Sequence, residues 1–162
     1  MRPLRLPRSA TVEIQRHARE CYPDECCGFL IAGADPAEAD APREVLSVIR
    51  APNEYDGERR RRFVIAPNEL RRLERQLEGT PQLVAGFYHS HPDHPARPSQ
   101  FDQEHAWPWY SYVVISVTAT DTPALGAFEL EADSGTFREV PLSTDSPDVV
   151  PVTESLRAPE GS

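Results

Sequence analysis

Apolar and polar residues alternate along the chain in a way that separates short strands from one-faced helices. Cys26 to Ala32 (CCGFLIA) is an unbroken apolar run ending at Gly33, the pattern of a buried strand. Glu44 to Ala51 alternates through Val45, Leu46, Val48 and Ile49 and predicts a second strand. Phe63-Val64-Ile65 predicts a brief third, Leu83 to His89 a fourth and Tyr112 to Thr118 a core strand. Leu125 to Glu131 and Thr136 to Val140 predict a closing hairpin with Asp133-Ser134-Gly135 as its turn.

Three helices fit between these runs. Val12, Ile14, Ala18 and Cys21 form a partial apolar stripe behind Ser9 or Thr11 as a cap. That helix ends at Tyr22-Pro23, because proline drives the residue before it out of helical geometry. Pro67 to Glu78 is the clearest helix: Pro67 suits its first turn, Leu70, Leu73 and Leu77 share one face, and Gly79 ends it. Ser99 begins a third, expected to run to about Trp107 and stop at Pro108. This order predicts an α+β fold, a single domain over 1–142 with one mixed β-sheet flanked by helices. Residues 143–162 are Pro, Ser, Thr, Asp and Glu with few apolar anchors, and are expected to form a disordered tail.

The chain has 162 residues, enough for one domain with a real core. Its formal charge of −9 argues against nonspecific nucleic-acid binding, where neutralising phosphates supplies most of the affinity. All 17 basic side chains are arginine, as a GC-rich coding sequence favours. The three cysteines, Cys21, Cys26 and Cys27, are odd in number and include an adjacent pair, so a reducing cytoplasm is expected rather than a disulfide framework. Met1 to Ser9 has no apolar core of a signal peptide, and no run approaches the roughly 18 apolar residues of a membrane span. No membrane association is expected.

The candidate chemistry lies in His89-Ser90-His91-Pro92, followed by Ser99 and Asp102. Histidines at i and i+2 of a strand point to the same side, so both imidazoles can reach one metal ion. Asp102, just beyond a proline-rich loop, can add a carboxylate oxygen. Two nitrogens and one oxygen leave a tetrahedral position open, the ligand count of a catalytic zinc site. Ser99 has two readings at this stage. It can cap the helix, with Asp102 completing a capping box, or it can donate its hydroxyl to a developing oxyanion. A hydrolytic site also needs a base. Glu25, at the start of the apolar strand, is the candidate, with Glu104, Glu20 and Asp24 as competitors on spacing alone.

Other residues invite functional readings that weigh less. Cys26 and Cys27 adjoin Glu25 but are expected to pack as small hydrophobes, and Cys21 to fill the helix face. Asn53 is a loose candidate for lining the cleft. His94, in the proline loop, is a loose substrate-contact candidate, although exposure to solvent is the simpler reading. His105 is a candidate supporting residue one turn after Asp102. His17 is expected at the surface, Arg59 to Arg62 to be solvated, and Trp107 and Trp109 to close the core.

The strings YPDECCGFL and GFYHSHPDHPARPSQFD resemble the JAMM (MPN+) metalloprotease family. That pattern is an upstream Glu, then His-x-His-Pro, then a Ser and an Asp at fixed spacing. Here it reads Glu25, His89, His91-Pro92, Ser99 and Asp102 without gap or substitution, and the resemblance runs from about Thr11 to Val140. It implies the cytidine-deaminase-like MPN fold, with one Zn2+ at the sheet edge held by His89, His91 and Asp102. It implies that Glu25 is general base and acid and that Ser99 stabilises the tetrahedral intermediate. The short form is similar to bacterial members that cut after the Gly-Gly of a ubiquitin-like or sulfur-carrier β-grasp protein. The large insertions of the eukaryotic deubiquitinating relatives are missing, and 52–62 is at most a short equivalent. A catalytically silent scaffold and a small-molecule amide hydrolase on the same zinc site are the alternatives.

Overall fold

The computed structural model describes residues 2–34 and 38–148. Eight strands form one mixed sheet, flanked by three helices. In chain order they are β1 (Leu4–Pro7), α1 (Arg8–Cys21), β2 (Cys27–Ala32), β3 (Arg43–Ala51), α2 (Pro67–Leu77), β4 (Leu83–Pro92), α3 (Gln100–Glu104), β5 (Ser111–Val117), β6 (Ala124–Leu130), β7 (Phe137–Val140) and β8 (Leu142–Ser146). The strand order is β7-β6-β5-β4-β2-β3-β1-β8. β4 and β5 run parallel, as does β1 with both β3 and β8, and the remaining neighbours are antiparallel. The chain passes from β7 to β8 through Pro141 alone, so the two edges of the sheet meet at that corner, where the Leu4 N–H donates to the Pro141 carbonyl.

The period-2 rule sorts the two faces. Leu30 of β2 and Tyr88 of β4 pack with Ile14 and Ala18 of α1. Cys27, Phe29 and Ile31 point the other way and pack with Leu73 of α2. α1 earns its place through Ala10, Ile14, His17 and Ala18, which recur at helical spacing and are all buried. Gly28 is required by a close approach: a Cβ there would lie 2.3 Å from the Tyr88 ring. Burial of side chains as large as Leu30 or Ile115 stabilises the fold by about 1.5–3 kcal/mol each.

The structure departs from the expected elements at several points. β1 was not anticipated, although Leu4 and Leu6 alternate with an exposed Arg5; two flanking prolines hide so short a strand. α1 begins at Arg8 behind Pro7, so neither Ser9 nor Thr11 caps it; the Thr11 hydroxyl instead donates to the carbonyls of Pro7 and Thr144. The tail does not begin at 143. Ser143 to Ser146 belong to β8, whose polar residues carry no apolar signal but whose backbone completes the edge of β1. The rest of the expected tail, 149–162, lies outside the described residues. Phe63 to Ile65 is not a strand. The third helix stops at Glu104, and Trp107 stands 67% exposed rather than closing the core, with Trp109 also exposed. No helix among the described residues is long and apolar enough to cross a membrane.

Candidate metal centre

β4 runs to Pro92, three residues beyond the expected end, so His89 lies between β2 and β5 while His91 is held by β5. His89 pairs with Cys27, and His91 with Ser116. Their rings share the face that α2 and Phe63 cover, and the Phe63 ring stacks on His89 at 4.4 Å. Between them Ser90 points to the opposite face and accepts the Cys26 N–H at 2.8 Å, tying the metal strand to the residue after Glu25.

Asp102 reaches the histidines from the first turn of α3. The Asp102 N–H donates to Ser99 Oγ, and the Ser99 N–H donates to Asp102 Oδ2 at 2.8 Å, a reciprocal capping box. The box fixes the carboxylate. Its Oδ2 lies 3.0 Å from His89 Nε2 and 3.0 Å from His91 Nε2, and the two nitrogens are 3.1 Å apart. Ser99 is therefore a helix cap here, with its hydroxyl hydrogen left to donate elsewhere.

The protonation pattern suits a cation. His91 Nδ1 faces the Pro95 carbonyl at 3.2 Å, an acceptor only, which assigns a hydrogen to Nδ1, so that the neutral ring turns its Nε2 lone pair toward Asp102 and His89. Burial holds the His89 imidazole below its ordinary pKa, and so neutral. Burial opposes ionisation of Asp102 as well, but the two histidines and the Ser99 N–H outweigh it and hold the carboxyl below the usual range. Burial likewise works against a charged His91, and its contact with Asp102 wins, raising it. A single proton can bridge only one pair of these three converging atoms. An ion satisfies all of them, and tetrahedral ligands about 2.0–2.1 Å from zinc would stand about 3.3 Å apart. His89, His91 and Asp102 can thus hold a metal ion.

Glu25 precedes β2 and is 5% exposed, with Oε1 unpartnered among the described residues. Burial pushes its carboxyl up to about 8, against the pull of His91 and Arg62 and with the repulsion of Asp102. A dication beside it would favour the ionised form. Glu104 is exposed, and Glu20 lies on α1 paired with Arg50. Asp24 is exposed on the turn before Glu25.

The remaining candidates separate cleanly. Burial pushes the Cys26 thiol up to about 12 and raises that of Cys27 further, so both pack as inert hydrophobes. Cys21 is half-buried against the α1 core. His94 is exposed on the proline loop and His105 is exposed and stacked on Phe101. His17 is not at the surface: it is buried beneath β4, with Nδ1 2.7 Å from the Tyr88 hydroxyl. Asn53 spends its amide on the protein itself. Arg62 of the arginine run is half-buried, its guanidinium 4.3 Å from the Phe101 ring centroid. Sequence reasoning missed Phe63, Ser90 and the Pro95 carbonyl. Only Ser90 carried a signal, since it lies between two histidines of known facing.

Comparison with known proteins agrees with this geometry. The family described as prokaryotic homologs of the JAB domain matches residues 7–130. A desampylase from Haloferax volcanii is 31% identical over 147 residues, covering 88% of this chain and 96% of the relative. A solution structure of a protein from Desulfitobacterium hafniense matches with a TM-score of 0.73 at 28% identity, over 90% of this chain and 95% of that one. One from Salinibacter ruber matches with a TM-score of 0.64 at 32% identity, over 93% and 95%.

Proposed function

The chain belongs to the prokaryotic homologs of the JAB domain, and from that membership we propose that it is a zinc-dependent peptidase or isopeptidase. Its substrate is a ubiquitin-like or sulfur-carrier β-grasp protein, cut after a C-terminal Gly-Gly. The observation that carries this reading is the meeting of three donor atoms within 3.1 Å of one another in a protein whose buried Glu25 Oε1 has no partner among the described residues. The relative named desampylase supports removal of a small protein modifier. Retention of all three donors weighs against a silent scaffold.

His89, His91 and Asp102 would hold the ion. Zinc at such a site lowers the pKa of water to about 7 and polarises a carbonyl. Glu25 takes the proton from the attacking water and delivers it to the leaving amine, so that one carboxyl serves as base and then acid. Burial raises its carboxyl and a dication beside it would lower it again, so the same group can be ionised to take the proton and still hold it between the two transfers. Ser99 keeps Asp102 aimed through the capping box and has its hydroxyl hydrogen available for the oxyanion.

The test is metal content together with cleavage of a Gly-Gly-extended β-grasp protein, wild type beside Glu25→Ala. We expect one zinc per chain in both and activity reduced by at least about 1,000-fold in the variant. Zinc without turnover of any such substrate would favour the small-molecule amide hydrolase. A folded chain that takes up no metal would remove the reading altogether.

A further inference from the structure

The direction of the Glu25 carboxylate is set by backbone rather than by side-chain bonds. Its Oε1 has no partner among the described residues, whereas both of its main-chain groups are engaged. The Glu25 N–H donates to the Arg59 carbonyl at 2.7 Å, and the Glu25 carbonyl accepts from Asn53 Nδ2 at 3.1 Å. Both bonds run to the same segment, the one expected to be a short equivalent of the eukaryotic insertions.

Asn53 gathers that segment on itself. Its second Nδ2 hydrogen goes to the Arg62 carbonyl at 3.0 Å, and its Oδ1 accepts the N–H of Tyr55 at 3.1 Å and of Val64 at 3.2 Å. Two donors and two acceptor sites are therefore in use, the whole capacity of a carboxamide. Nothing is left for a substrate, which removes Asn53 as a cleft-lining contact. The loop so closed carries Arg62 onto the Phe101 ring and lays Phe63 on His89. One amide thus ties together the backbone of the base, the aromatic cover of a metal-binding histidine and the residue over α3.

We propose that Asn53 is a positioning residue that holds Glu25 beside the His89–His91–Asp102 centre by clamping residues 53–64 against it. This rests on the peptidase reading for its catalytic consequence. Aspartate is the informative replacement. It keeps the two acceptors for Tyr55 and Val64, but loses both donors and turns an oxygen toward the carbonyls of Glu25 and Arg62. Misplacing a reacting group by about 1 Å costs up to about 100-fold in rate.

The experiment compares wild type, Asn53→Asp and Asn53→Ser as full chains, reading cleavage kinetics, zinc content and amide hydrogen exchange. The Asn53→Asp chain is expected to lose about 30-fold in kcat with KM within about twofold and zinc unchanged. Its Glu25 amide should exchange at least about tenfold faster, while those of the β5–β6 ladder stay as in wild type. Asn53→Ser, whose shorter side chain reaches none of the four partners but adds no charge, should lose kcat and Glu25 protection likewise, and it decides the matter should the aspartate chain not fold. Wild-type kcat in a folded variant, or unchanged exchange at Glu25, overturns the proposal. If wild type cleaves no β-grasp substrate, the peptidase reading fails by itself and the exchange pattern alone decides whether Asn53 holds Glu25.

Discussion

Strand β4 buries polar side chains on both faces, and the histidine pair on one behaves unlike Tyr88 on the other. On one face, His89 and His91 point their Nε2 atoms at each other and at Asp102, three atoms meeting where one proton can serve only one pair. On the other, Tyr88 meets His17 in a single hydrogen bond at 2.7 Å with rings packed edge to face. The second arrangement is complete in itself: burial keeps His17 neutral and one partner suffices. The first leaves three converging atoms that one cation could satisfy together. Burial and residue type are alike on the two faces, so neither marks a functional histidine. What separates them is whether the lone pairs converge or are already matched.

The comparison breaks most visibly at the metal face. His91→Ala removes a nitrogen and leaves Asp102 with one imidazole. We expect zinc bound per chain to fall from about one to near zero at micromolar metal, with cleavage lost in parallel. Metal analysis after gel filtration reads this directly. A His91→Ala chain that still bound zinc stoichiometrically would show the cluster to be an ordinary polar knot like that of Tyr88.

The metal face was the more legible in the sequence, for a physical reason. Strand periodicity places residues i and i+2 together, and a capping box places Ser99 against Asp102, so both halves of the centre follow from local rules. The face holding His17 depends on contact between α1 and β4, 71 residues apart, and no local pattern announces it. The same divide runs through the fold. β2, β3 and α2 were readable from their own apolar spacing, whereas β8 is held by the backbone edge of β1, and Phe63 by the His89 ring of β4. Trp107 and Trp109 misled because size suggested burial. The third helix ends before it can carry them inward.

The structural face is sharpened by pH. Burial, reinforced by Arg50 and opposed by Glu20 and Glu13, lowers His17 to about 4, against an unfolded value near 6.5. Between those values the unfolded chain binds a proton that the folded chain refuses, so stability falls as pH drops from about 6.5 to about 4. Allowing for partial solvation of the ring, the loss attributable to His17 is about 2 kcal/mol. Denaturant titrations of the metal-free protein across that range should show this slope reduced in His17→Gln. The centre's own histidines also titrate, so the difference between the two chains carries the result. Zinc content at pH 7 should be the same in both, and a loss of metal in His17→Gln would mean that the two faces are coupled through β4.

Tyr88→Phe is the finest probe, because it removes one oxygen and leaves the ring that Gly28 makes room for. It deprives His17 Nδ1 of its partner in a buried site, at a cost of about 1 kcal/mol. In the His17→Gln background the same change should cost a different amount, because the two side chains form one unit. The coupling expected from such a cycle is at least about 0.5 kcal/mol. Strict additivity would show that the bond contributes nothing net and that Tyr88 is held by packing alone. A measurable coupling with unchanged zinc would establish β4 as a strand whose two faces are energetically separate, one closed by a protein partner and the other left for an ion.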